Sequence, residues 1–207
     1  RLRLEGEIIR DNGLTISGLL SRKMGGAGVF PPQPDGCMNL GQSRRKWTAS
    51  TGEDRYRRAV YTYRWRATPH PALKVFDTPD AFASCTRRIR SNTPLQALTL
   101  LNDPAFYEIA QGLAERILRE GGNTDEKRIA LGVRLCLVRE PDIREVSVLK
   151  SFLNKQRDLY ANMDAQAQAQ VIQRTHGRRS GHPAHEQAAW IMLARVLLNL
   201  DETITRE

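Results

Sequence analysis

Apolar positions recur at helical spacing through the second half of the chain and only in short pieces of the first. Phe106, Ile109, Ala110, Leu113 and Ile117 repeat at three- and four-residue steps and predict a long amphipathic helix. A shorter helix precedes it. Thr93 is a good N-cap, Pro94 fits the first helical position and Gln96 completes a capping box, while Leu95, Leu98 and Leu101 supply an apolar side. Asn102-Asp103-Pro104 separates the two, because a residue before proline avoids the α region and Asp103 then caps the helix that Pro104 opens. Downstream, Asn123 or Thr124 caps a helix carrying Ile129, Val133, Cys136 and Leu137, and another starts near Pro141 with Val146, Leu149, Leu153 and Tyr160 in register. Residues 164–173 alternate Ala and Gln, both of which favour helix, and predict an exposed one. The last helix, about 184–200, is apolar nearly all round and belongs in the core.

The first half is less regular. Leu4, Ile8, Ile9, Ile16, Leu19 and Leu20 predict a helix already under way at the first residues, as in an excised piece of a longer protein. Residues 22–36 are a Gly- and Pro-rich loop in which Met24, Val29 and Phe30 call for burial, and Trp47 is the natural anchor of the irregular stretch that follows. Residues 58–67, RAVYTYRWRA, alternate strictly and predict a strand with Tyr61, Tyr63 and Trp65 on one side and Arg58, Arg64 and Arg66 on the other. A second extended piece, Phe82 to Arg90, is its expected partner. The fold class expected is therefore mainly α: a helical domain with a small extended or two-stranded β element and long Pro/Gly-rich loops. Residues 1–207 read as a single domain, divisible into a mixed part, 1–122, and a helical part, 123–207.

Charge adds one constraint. The 207 residues carry a net charge of +9, dominated by arginine, which favours anionic partners such as acidic polysaccharide, nucleic acid or an acidic protein. No apolar run is long enough to span a bilayer. Cys37, Cys85 and Cys136 lie far apart and form no CxxC or CxxCH, so neither a zinc ribbon, a redox pair nor a c-type haem attachment is indicated.

Catalytic patterns are missing. No GxSxG or phosphate-cradling glycine loop is present, and Ser84 and Cys85 have only Asp77, Asp80 and Asp103 near them in sequence. His176, His182, His185 and Glu186 lack fixed ligand spacing, so no metal site and no catalytic residue are assigned. The arginines remain. Arg87, Arg88 and Arg90 stand before the helix capped by Thr93, and with Arg64 they are the candidate anion- or ligand-binding residues. A structural reading competes with that one and takes precedence: the three arginines pair with Glu53, Asp54 or the Thr93 helix start. Thr93, Gln96 and Asp103 are assigned as structural caps.

Three segments, WTASTGEDRYRR (Trp47 to Arg58), CTRRIRSNTPLQALTLLNDP (Cys85 to Pro104) and AAWIMLARVLLNLDETITRE (Ala188 to Glu207), resemble the C-terminal domain of large exported planctomycete proteins, a family of unknown function. The resemblance implies an extracytoplasmic location, a multidomain chain and, upstream, a cytochrome-c-like haem segment; no cofactor is expected in this piece. On this basis the expected role is a non-catalytic interaction or ligand-binding module whose partners are the upstream domains of its own chain and anionic polysaccharide. The alternatives are part of an enzyme acting on anionic polysaccharide, and nucleic-acid binding through a basic face, the latter an unlikely partner.

Overall fold

The computed structural model describes residues 2–40, 45–172 and 181–206. Among them are nine α-helices and one two-stranded antiparallel sheet, so the fold is mainly α with a small β element. In chain order these are β1 (Leu2–Arg3), α1 (Gly6–Ser17), α2 (Pro71–Val75), α3 (Pro94–Asn102), α4 (Pro104–Glu120), α5 (Asp125–Leu137), α6 (Ile143–Ala161), α7 (Ala165–Val171), α8 (Ala184–Leu198), α9 (Asp201–Ile204) and β2 (Thr205–Arg206). The sheet joins the two ends of the described chain, with Leu2 opposite Arg206 and Arg3 opposite Thr205. Two compact units follow from the contacts. One comprises Arg1–Thr15, Leu19–Tyr107 and Ile204–Glu207; the other comprises Ile16–Gly18 and Glu108–Thr203.

The first unit holds its irregular backbone with buried arginines. Arg57 is only 2 % exposed. Its guanidinium donates to the carbonyls of Ala27 (3.1 Å), Lys23 (3.3 Å) and Gly25, and lies 3.8 Å over the Tyr61 ring. Arg10, from α1, donates to the carbonyls of Arg57 (2.6 Å) and Arg55 (3.2 Å). Arg3, from β1, donates to the carbonyls of Ser91, Leu4 and Phe76 and forms a 2.6 Å ion pair with Asp77. Each guanidinium thus meets carbonyl dipoles, a carboxylate or an aromatic face, which is what makes burying a charge tolerable.

The strand expected over 58–67 is not formed. Ala59–Tyr61 is a 3₁₀ turn, and the stretch makes a single parallel bridge, Val29 to Thr62. Side chains take up the polar groups that a ladder would use. Asp11 accepts the Ala59 N–H at 2.6 Å, and Arg10 takes the Arg57 carbonyl. Nor is the expected partner piece, 82–90, a strand; the two-stranded element lies at the termini instead. The aromatics pack by themselves: Phe30 stacks on Tyr63 (5.1 Å) and meets Trp47 edge-on (5.0 Å), and Trp47 donates to the Pro31 carbonyl at 2.7 Å, anchoring the Pro-rich segment. Val29 is buried as expected, whereas Met24 is exposed. The first residues pair as β1, and the helix begins only at Gly6.

The second unit is a helical core. α8 packs against α5, α6 and α7, and its Ala188, Ala189, Trp190, Leu193, Ala194 and Leu197 are wholly buried. Gly132 on α5 allows close packing, since a Cβ there would stand 2.8 Å from Leu197 and 3.0 Å from Ile117. Thr124 caps α5, and Asp142 with Glu145 forms a reciprocal capping box at α6. Arg157 on α6 grips Asp125 at the start of α5 (2.6 and 2.8 Å) and Glu186 at the start of α8 (2.6 and 2.7 Å). Burial works against ionising Glu186, but Arg157 and the Trp190 N–H outweigh it and hold the carboxyl below its usual range. α7 buries no residue, in keeping with its Ala/Gln pattern.

Two outcomes follow. Arg57→Lys keeps the charge and loses the fork, so the variant should unfold with a stability loss of roughly 2–4 kcal/mol in a urea titration. His70 is buried, donates from Nε2 to the Pro32 carbonyl (2.9 Å), and has its pKa lowered from 6.5 to about 4, first by burial. The unfolded chain therefore binds that proton more readily. Stability should fall as pH drops from about 6.5 towards 4, by on the order of 3 kcal/mol, and level off below. His70→Gln should remove that step from the pH profile of the unfolding free energy.

Candidate functional site

An open cleft of about 370 Å³ lies in the first unit, lined by Glu5, Glu7, Ala59, Val60, Thr62, Arg64, Leu73 and Arg88. Four pieces of chain supply these residues. Glu5 immediately precedes α1, and Glu7 lies in its first turn, where carboxylates suit the unpaired N–H groups of a helix start. The 3₁₀ turn and the residues after it bring Ala59, Val60, Thr62 and Arg64, and α2 brings Leu73. Arg88 comes from the irregular segment before α3.

Close approach at Gly6 sets this geometry. A Cβ at Gly6 would stand 2.8 Å from the Cβ of Phe76 and 3.2 Å from Thr78, so glycine lets the chain after α2 run against the start of α1. Asp77 follows, in a left-handed conformation (φ 58°) that aspartate tolerates better than most residues. Its Oδ2 accepts the Ser91 N–H (2.8 Å), the Ser91 hydroxyl (2.7 Å) and the Arg3 guanidinium (2.6 Å). Burial opposes ionisation of Asp77, yet these donors win and lower its pKa. Ser91 is fixed in this way, and with it the end of the Arg87–Arg90 run. Gln96 adds a second tie, donating to the Val75 carbonyl and the Ser91 hydroxyl, each at 3.0 Å.

The candidate arginines separate. Arg88 lines the cleft 3.0 Å from Glu7 and 3.9 Å from Glu5. Arg90 is half-buried and pairs with Glu5 at 2.7 Å. Arg87 is exposed. Arg64 lines the cleft, is exposed, and has no hydrogen-bond or ion-pair partner among the described residues. Of the acids expected to pair with the run, Asp54 meets Lys23 at 3.1 Å instead. Glu5 and Glu7 take their place. Their signal was in the sequence, two acids straddling a glycine at a helix start, but reading the helix from the first residue hid it. Of the assigned caps, Thr93 donates its N–H to Gln96 Oε1 (3.3 Å) at the start of α3, and Asp103 Oδ1 accepts the Ala105 N–H (2.9 Å) in the first turn of α4.

The remaining chemical candidates do not converge. Ser84 and Cys85 are exposed, and Asp80 accepts the Phe82 N–H. Burial pushes the Cys136 thiol up to about 12, far from a reactive thiolate. Glu186 is engaged by Arg157 and Trp190, and no metal-ligating group of three side chains gathers among the described residues; His176 lies outside them.

A family model described as a protein of unknown function (DUF1553) matches residues 1–153. The resembling segments Trp47 to Arg58 and Cys85 to Pro104 fall within that range, and Ala188 to Glu207 falls beyond it. No curated protein and no solved structure matches the chain.

Asp77 should behave as the positioning residue of the cleft wall. Asp77→Ala removes one acceptor shared by three donors and leaves the Arg3 guanidinium without its carboxylate. The expected loss is roughly 2–4 kcal/mol in chemical denaturation, with faster amide hydrogen exchange at Ser91 than in the parent.

Proposed function

The chain belongs to the family of proteins of unknown function DUF1553, and from that premise we propose that it is a non-catalytic module that binds an anionic ligand, an acidic saccharide, in the cleft between Glu5, Glu7, Arg64 and Arg88. The observation that carries this reading is the state of Arg64. It sits in the wall of an open concavity with its guanidinium uncommitted among the described residues, and the exposed Val60 lines the same concavity. A forked donor in a cleft that also exposes an aliphatic side chain suits a sugar carboxylate or sulfate.

Glu5 and Glu7 are held by Arg88 and Arg90, which favours binding over acid/base work by this pair. The same two carboxylates interrupt the positive surface at the cleft, which counts against a nucleic-acid backbone as the natural occupant. The resemblance noted in the sequence supports the wider setting of the proposal: an exported, multidomain, extracytoplasmic planctomycete chain, with a haem-bearing segment upstream and those upstream domains as partners.

Calorimetric titration of the purified chain with uronate and sulfated oligosaccharides at two salt concentrations tests the reading. Binding should appear at low salt and weaken as salt rises, and Arg64→Ala should weaken it by about tenfold. No detectable binding of either class at low salt would overturn it.

A further inference from the structure

We infer that Glu7, with Glu5 beside it, sets the specificity of the cleft, keeping it for a sparsely charged, hydroxyl-rich saccharide such as an oligouronate and against densely charged polyanions. The inference rests on the reading of the cleft as an anion-binding site. Both carboxylates line the same concavity as the two arginines. Glu7 stands 3.0 Å from the Arg88 guanidinium and Glu5 3.9 Å from it, while Glu5 also holds Arg90 at 2.7 Å. Arg88 therefore already faces carboxylates of its own chain. A ligand anion that approached it would have to displace Glu7 or tolerate it at close range. Arg64 has no such internal competitor among the described residues.

Discrimination follows from this asymmetry. A ligand carboxylate on Arg64 displaces no internal ion pair, whereas one on Arg88 must compete with Glu7. The neighbouring hydroxyls can then donate to the free lone pairs of Glu5 and Glu7, since an ionised carboxylate accepts up to four hydrogen bonds and each is only partly occupied by arginine. A sulfated glycan places several charges within the same span. Any of these that reaches Arg88 meets Glu7 and Glu5 there, and like charges at about 4 Å repel by roughly fivefold in affinity even in water-like surroundings. Glu7 thus acts twice: it orients Arg88, and it is the group a polyanion must overcome.

Glu7→Gln keeps the size and the hydrogen-bonding oxygen and removes the charge. Measured by calorimetry at low salt, the parent should prefer an oligouronate to a heparin-type sulfated glycan. The variant should bind the sulfated glycan about fivefold more tightly, with a steeper salt dependence, while the oligouronate affinity falls. Glu7→Asp should retain the parent's preference. Thermal unfolding of each variant checks that the fold is unaltered. Unchanged affinities in Glu7→Gln, with Arg64→Ala still weakening binding, would overturn the specificity role and leave the cleft reading standing. A parent that binds neither class would overturn both.

Discussion

A backbone that forms neither helix nor sheet must still find partners for its carbonyl oxygens when it is buried. In the first unit the carbonyls of Lys23, Gly25, Ala27, Arg55, Arg57, Phe76 and Ser91 find theirs in guanidinium groups. Arg57 gathers three carbonyls of the Gly-rich loop, Arg10 takes two from the stretch that carries Arg57, and Arg3 takes Phe76 after α2, Ser91 before α3 and its own neighbour Leu4. Arg10 and Arg57 are chained, since the carbonyl of one is the acceptor of the other. Five donors in a fixed plane make arginine the side chain suited to this work. The cleft wall depends on it, because Arg3 and Asp77 together fix where the Arg88 segment emerges.

The second unit solves its packing differently. Its helices bury a continuous apolar surface centred on α8, and its polar ties sit at helix starts. Arg157 joins the first turns of α5 and α8 through two carboxylates, and Arg139 pairs with Glu145 and Glu202. Carboxylates at those positions also suit the helix dipoles. Glu145 does two jobs, completing the capping box with Asp142 and meeting Arg139, and these donors lower its pKa to about 2.

Legibility in the sequence follows this contrast. α3, α4, α5, α6, α7 and α8 were readable because proline, threonine and aspartate caps and a 3.6-residue period are local signals, and local signals suffice where a helix satisfies its own backbone. Even there the facing of α3 was not readable. Leu95 and Leu98 are 59 % and 54 % exposed, and the buried positions are Gln96 and Leu100, because Gln96 is drawn inward by the Val75 carbonyl and Ser91. The alternation at 58–67 misled for a related reason. A period of two says how side chains face, and not what the N–H and C=O groups bond to; Asp11, 48 residues away, takes the Ala59 N–H. The cleft was half legible. Arg64 and Arg88 stood out as cations, while Glu5 and Glu7 were seen only as part of a helix.

The arginine–carbonyl ties have a consequence for how this chain can vary. An ion pair constrains two positions, since both side chains must be kept. A guanidinium set on backbone carbonyls constrains one, because every residue type presents the same oxygen. Lys23 and Ala27 are bound to Arg57 through their carbonyls and not through their side chains. The loop can therefore change its outward-facing side chains, and with them what its surface presents, while Arg57 keeps its carbonyls and the Tyr61 hydroxyl keeps the Gly25 N–H.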